Sequence, residues 1–152
     1  MFSRLTGRDK VMAEYAAAAD SPETIFSVPR TSMTGRADHL HAPNRYSSKA
    51  ITMHRGAVVL SRSGLVVIVG RRLRCHATFS TDASTAPLGI SFRPDGLTLD
   101  VDVAMAFPPK GSGGLTLEIR TPISGDVLAQ LPSRELRASV PEPDLLTMTR
   151  WI

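Results

Sequence analysis

Ala50-Ile-Thr-Met-His-Arg-Gly-Ala-Val-Val-Leu-Ser-Arg62 leads into Ser63-Gly64 and then Leu65-Val-Val-Ile-Val-Gly-Arg-Arg-Leu-Arg-Cys-His-Ala-Thr-Phe79. Two β-branched apolar runs on either side of a Ser-Gly pair predict an antiparallel hairpin, because glycine accepts the backbone angles a tight turn demands. A two-residue Ser63-Gly64 loop and a three-residue loop with Gly64 left-handed both serve, and the register differs by one between them. Leu65 to Val69 is apolar at every position, the pattern of a strand buried on both faces or covered by a neighbouring element. Beyond Gly70, which marks a bulge or bend, the pattern becomes alternation. Leu73, Cys75, Ala77 and Phe79 share one face, and Arg72, Arg74, His76 and Thr78 the other.

Downstream, Arg93-Pro-Asp-Gly96 is a turn in which proline presets one backbone angle and glycine accepts another. With Pro94 and Asp95 at its tip, Phe92 faces Leu97, Ile90 faces Leu99 and Leu88 faces Val101, so all six apolar residues share a face. Leu97 to Phe107 continues the alternation as one strand. After a loop over Pro108 to Gly114, Leu115, Leu117 and Ile119 make the next, with Phe107 opposite Leu115 and Asp102 opposite Arg120. Val127, Ala129 and Leu131 predict a further strand, while residues 133–152 read both as helix and as strand.

Upstream, Thr6-Gly-Arg-Asp9 fits a capping box, and an Ala-rich helix follows from about Arg8 to Ala19 until Asp20-Ser-Pro22 ends it. Pro22, Pro29, Pro43 and Gly35 make the next segment read as a long loop or arm. The expected organisation is a helix over 1–20, an extended arm over 21–49, a β core over 50–140 and a tail over 141–152. Seven to nine short strands define an all-β class, read first as an antiparallel sandwich and second as a partly open barrel.

A chain of 152 residues is enough for one core. The single cysteine rules out an intrachain disulfide and a Cys-rich zinc site. The first residues lack the apolar stretch of a signal peptide, and no run approaches the roughly 18 apolar residues of a membrane span, so the expected location is cytoplasmic. The net charge of +4 conceals an asymmetry: residues 1–80 hold twelve Lys/Arg against five Asp/Glu, residues 81–152 six against nine. No carboxylate occurs between Asp38 and Asp82.

Arg72, Arg74 and His76 project from one strand face about 7 Å apart, a spacing that meets successive phosphates or a row of carboxylates. Arg71, Arg62 and Arg55 are placed near them as further partner- or anion-binding residues. The competing reading is a solvated face whose cations pair with Asp100, Asp102 or Glu118. Only Tyr46 and Phe79 are at hand to stack bases, which counts against single-stranded nucleic acid.

Asp38, His39 and His41 assemble a metal site on paper, but without an HExxH motif or a third ligand at diagnostic spacing they read as exposed histidines. Cys75 falls on the core face and reads as a small, inert hydrophobe. There is no Gly-x-Ser-x-Gly elbow, and Gly111-Ser-Gly-Gly114 lacks the ending of a phosphate loop, so no cofactor is implied. The leading expectation is a non-enzymatic interaction or assembly module, self-associating or part of a larger complex. The alternatives are binding of a polyanion, nucleic acid or anionic lipid, through the basic face, and a metal-dependent enzyme built on Asp38, His39 and His41.

Overall fold

The structure, a computed structural model, describes residues 7–151 apart from Asn44, Arg71, Arg72, Thr81 and 83–85, and only the backbone of 7–12, 73, 74 and 151. Eight antiparallel strands close into a barrel in the order β1-β2-β3-β4-β8-β5-β6-β7. The all-β class and the strand number match the sequence reading, but the sheet closes on itself and does not split into a sandwich. Closure depends on β1 (Thr24–Ala42), 19 residues long. It pairs along its whole length with β2 (Arg45–Ser61), and from Ser32 to His41 also with β7 (Ser112–Arg120). One strand thus joins the two ends of the sheet.

The segment expected to be a loop or arm is therefore β1 and the start of β2. Its prolines do not break the strand because each sits where a ladder hydrogen bond is not required. Pro22 precedes β1 and Pro43 lies in the β1–β2 turn, while Pro29 falls in a bulge where the register jumps from Val28↔Val58 to Thr31↔Gly56. His39 adopts a positive φ of 47°, and the alternation changes phase there. Met33 and Ala37 are buried before it and Leu40 after it.

The opening stretch forms a three-stranded meander, not one hairpin. β2 turns through Arg62-Ser63 into β3 (Gly64–Val69), with Leu60 opposite Leu65. Gly64 lies inside β3 opposite Thr78, because a Cβ there would run into the Ala77 carbonyl. The Ser61 hydroxyl closes the turn by accepting from the Gly64 N–H (3.1 Å). Gly70, with φ of 62°, lies at the reversal into β4 (Leu73–Ser80) and is not a strand bulge. Helix α1 (Gly7–Ala19) forms where the capping pattern predicts it and lays Tyr15 against Ala57, Val66 and Ile68. Both faces of β3 are consequently covered, which accounts for its unbroken apolar run.

β5 (Leu88–Arg93) and β6 (Gly96–Asp102) pair in the register the turn chemistry predicts. β6 ends earlier than expected because the Asp102 carboxylate accepts the Met105 N–H (3.1 Å) and caps a one-turn helix, α2 (Val103–Ala106). Ile119 therefore faces Leu97 and not Val103, and Asp102 faces Gly114 and not Arg120. The offset is even, so the apolar set stays on the core side.

Val127 to Leu131 is not a strand. Ser124 caps a short helix, α3 (Gly125–Ala129), by accepting from the Val127 N–H (3.3 Å). Beyond it, β8 (Glu135–Ser139) joins β4 to β5. The tail is helical: α4 (Glu142–Trp151) turns Leu145 and Met148, one turn apart, into the core. It fills the gap where β8 stops pairing with β4. Asp144 accepts the His76 backbone N–H there (2.9 Å), and Arg45 donates to the Thr149 carbonyl at the far end. A cation at the last carbonyls also suits the helix dipole. Among the described residues no helix is long and apolar enough to cross a membrane.

Candidate interaction surface

β1 accompanies β2 down to Arg45, but β3 pairs with it only from Gly56 to Leu60. Among the described residues no strand pairs with the second side of residues 45–54, a length of about 30 Å. The last bond on that side runs from the Gly70 N–H to the Arg55 carbonyl (2.7 Å). Alternation then aims the N–H and C=O groups of Met53, Ile51, Lys49 and Ser47 toward the same vacant side.

The side chains of this edge follow from parity. Val58 and Leu60 point into the core, so from Ala50 to Leu60 even positions of β2 turn inward and odd positions outward; below Lys49 the alternation changes phase and leaves Tyr46 exposed. Ile51 and Met53 fall on the outer face, where they are 54% and 81% exposed; with Tyr46 they are the only exposed large hydrophobics among the described residues. Ala57 and Val59 share their parity, yet are buried on the flank nearest α1. Cations ring the bare pair. Lys49 and Arg55 flank it along the strand, and Arg36 stands opposite Ile51 on β1. All three are exposed, and none forms an ion pair among the described residues. The sequence reading passes over Ile51 and Met53, although their parity with Val58 and Leu60 carries the signal.

The arginines singled out from the sequence are only partly brought together. Arg55 and Arg62 lie at opposite ends of the paired part of β2, roughly 20 Å apart. Arg71 and Arg72 fall outside the described residues, as does the side chain of Arg74, whose backbone pairs opposite Ile68. His76 is half-exposed, but its ring lies 3.5 Å from the Asp144 carboxylate that also takes its backbone N–H, so it belongs to the docking of α4. Asp100 and Asp102 are on β6, distant in strand order from β3 and β4. The Asp100 carboxyl is held above its ordinary value by burial, against the pull of Arg137 and with a smaller push from Asp102.

Asp38 and His39 approach each other to 3.6 Å, both exposed, whereas His41 packs edge-on to Tyr46 with ring centroids 4.6 Å apart. Among the described residues no group of three or more His, Cys, Asp or Glu converges as a metal requires. Cys75 is buried on the core face, and burial first, then the Asp144 carboxylate, pushes its thiol up to about 12. A cleft of about 550 Å³ opens between the β1–β2 turn, the Phe107–Gly111 loop and Glu142. Its lining is largely apolar, and no hydrogen bond joins its His41, Lys110 and Glu142 to one another. Compared with protein-family models, curated proteins and solved structures, the chain matches none of them.

Proposed function

We propose that the protein is a non-enzymatic interaction module that takes an extended strand of a partner onto the vacant edge of β2. The observation that supports this most is the edge itself. Natural edge strands are shielded by short length, proline, bulges or several charges, because their free N–H and C=O groups template pairing with another chain. Residues 45–54 are long, carry no proline and run without a bulge against β1, and Lys49 is their only strand-edge charge between Arg45 and Arg55. Two apolar side chains stand bare beside the vacant bonds. Strand addition uses this combination: backbone groups supply affinity and alternate side chains supply selectivity.

Residue-resolved amide exchange on the isolated protein tests this reading. The amides of Ser47, Lys49, Ile51 and Met53 are expected to exchange rapidly, while those of Ala50 and Thr52, directed at β1, are protected. Protection of the first set in a dilute monomer would mean the edge is already covered, and the reading would fall.

A further inference from the structure

We infer that the cleft between the β1–β2 turn, the Phe107–Gly111 loop and the start of α4 binds a small apolar zwitterion: a free α-amino acid with a large apolar side chain, or a dipeptide of such residues. The cleft opens at the end of the barrel where β1 and β6 finish and β2 and β7 begin, and its volume of about 550 Å³ is that of a small-molecule site. Ala42, Pro43, Ala106, Phe107, Pro108 and Pro109 make its apolar walls. The three prolines bring no N–H that an apolar ligand would leave unpaired, and their rigid rings lose little freedom when one settles on them.

The walls are held before any ligand arrives. The Gly111 N–H donates to the Phe107 carbonyl (2.7 Å) and closes the loop on itself, while the Phe107 N–H donates to the Val103 carbonyl (3.0 Å). A Cβ at Gly111 would run into both of those carbonyls, so this close approach requires glycine. Across the cleft, Asp144 ties α4 to the His76 backbone and Arg45 ties it to the β1–β2 hairpin, which fixes where Glu142 stands.

Lys110 and Glu142 specify the charges of the ligand. They carry opposite charge in one cleft, yet they form no ion pair with each other or with any other described residue. An apolar anion would satisfy Lys110 and confront Glu142, and an apolar cation would do the reverse. A carboxylate toward Lys110, an ammonium toward Glu142 and an apolar body over the prolines together match all three surfaces. His41, held edge-on to Tyr46, adds a ring nitrogen at the rim for a hydrogen bond. A nucleotide fits less well, because its phosphates would meet one lysine and face the Glu142 carboxylate. The cleft shares no lining residue with the vacant edge of β2, so this inference and the strand-addition reading stand or fall separately.

The test titrates the full chain with L-phenylalanine, phenylpropionate, phenylethylamine, glycine and L-phenylalanyl-L-leucine, following backbone amide shifts by NMR. L-Phenylalanine is expected to move the amides of Ala42, Phe107, Lys110 and Gly111, and to bind about fivefold more tightly than phenylpropionate or phenylethylamine, each of which lacks one charge. Glycine, with both charges and no apolar body, should move none of them. Lys110→Gln, at an exposed position, should lower the affinity for L-phenylalanine to that for phenylethylamine, and Glu142→Gln, also exposed, to that for phenylpropionate. Tighter binding of the dipeptide than of L-phenylalanine assigns the cleft to short peptides, and the reverse order assigns it to free amino acids; both support the inference. Equal binding of L-phenylalanine and phenylpropionate to the wild type, or unchanged affinity in both variants, overturns the zwitterion. Unmoved cleft amides with every probe up to its solubility limit overturn the site itself.

Discussion

Replacing Cys75 with alanine is expected to change how stability depends on pH in the alkaline range. The thiol is 1% exposed, and burial, reinforced by the Asp144 carboxylate, moves it from an ordinary value of 9.0 to about 12. In the unfolded chain it ionises near the ordinary value. Between the two values the folded protein holds a proton that the unfolded chain has lost, so stability falls as pH rises through this window and is fully present below it. The loss amounts to roughly 1 kcal/mol for each pH unit above about 9. Lysines, tyrosines and other alkaline groups are common to both proteins and cancel in the difference. Urea unfolding of the wild type and Cys75→Ala from about pH 7 to about pH 10.5 measures that difference. It should be flat to about pH 8.5 and then narrow at the expense of the wild type. Parallel curves across the whole range would mean that the thiol ionises equally in both states, and the reasoning would be wrong. Rapid alkylation of the native thiol near neutral pH would contradict it independently.

Four further substitutions probe the fold. Gly64→Ala places a methyl group against the Ala77 carbonyl and should cost about 1–3 kcal/mol, whereas Gly125→Ala, with open space around it in α3, should be neutral or stabilise by up to about 1 kcal/mol; thermal unfolding separates the two. Asp144→Ala removes the acceptor of the His76 N–H and should cost about 1–3 kcal/mol, with the His76 amide exchanging faster than the barrel as a whole; unchanged exchange at His76 would dissociate α4 docking from that bond. Leu99→Ala empties a fully buried position opposite Ile90 and Leu117 and should cost about 2–5 kcal/mol in denaturant unfolding; a loss under 1 kcal/mol would contradict its place in the core.

The β5–β6 hairpin is legible in the sequence because turn chemistry and two-residue periodicity agree on one register. β1 is not, since its bulge at Pro29-Arg30 and the left-handed His39 each shift the phase, and no window of ordinary length holds a clean alternation. Residues 103–106 and 125–129 alternate well enough to imitate strands, but the carboxylate of Asp102 and the hydroxyl of Ser124 offer helix caps that outweigh the pattern. The surface divides in the same way. That Ile51 and Met53 point outward follows from counting residues from Val58. That they stay bare while Ala57 and Val59 are covered depends on where α1 docks, which no local pattern encodes. The charge gap between Asp38 and Asp82 is legible in the sequence; of the residues the sequence reading assigns to it around β4, His76 is taken up by α4, while Arg71, Arg72 and the side chain of Arg74 lie outside the described residues.

The seam between β1 and β7 also sets an order of events. Ser32 is opposite Arg120, and the Thr31 hydroxyl donates to the Arg120 carbonyl, groups 89 residues apart along the chain. On a ribosome adding about 5–20 residues per second, β1 emerges roughly 4 to 18 s before its second neighbour exists. During that interval the β1–β2 hairpin is available with two open flanks, although the finished barrel retains only one. The ring itself closes later still, when β8 joins β4 to β5, so the rate of ring closure, not of hairpin formation, governs how long the nascent chain stays adhesive.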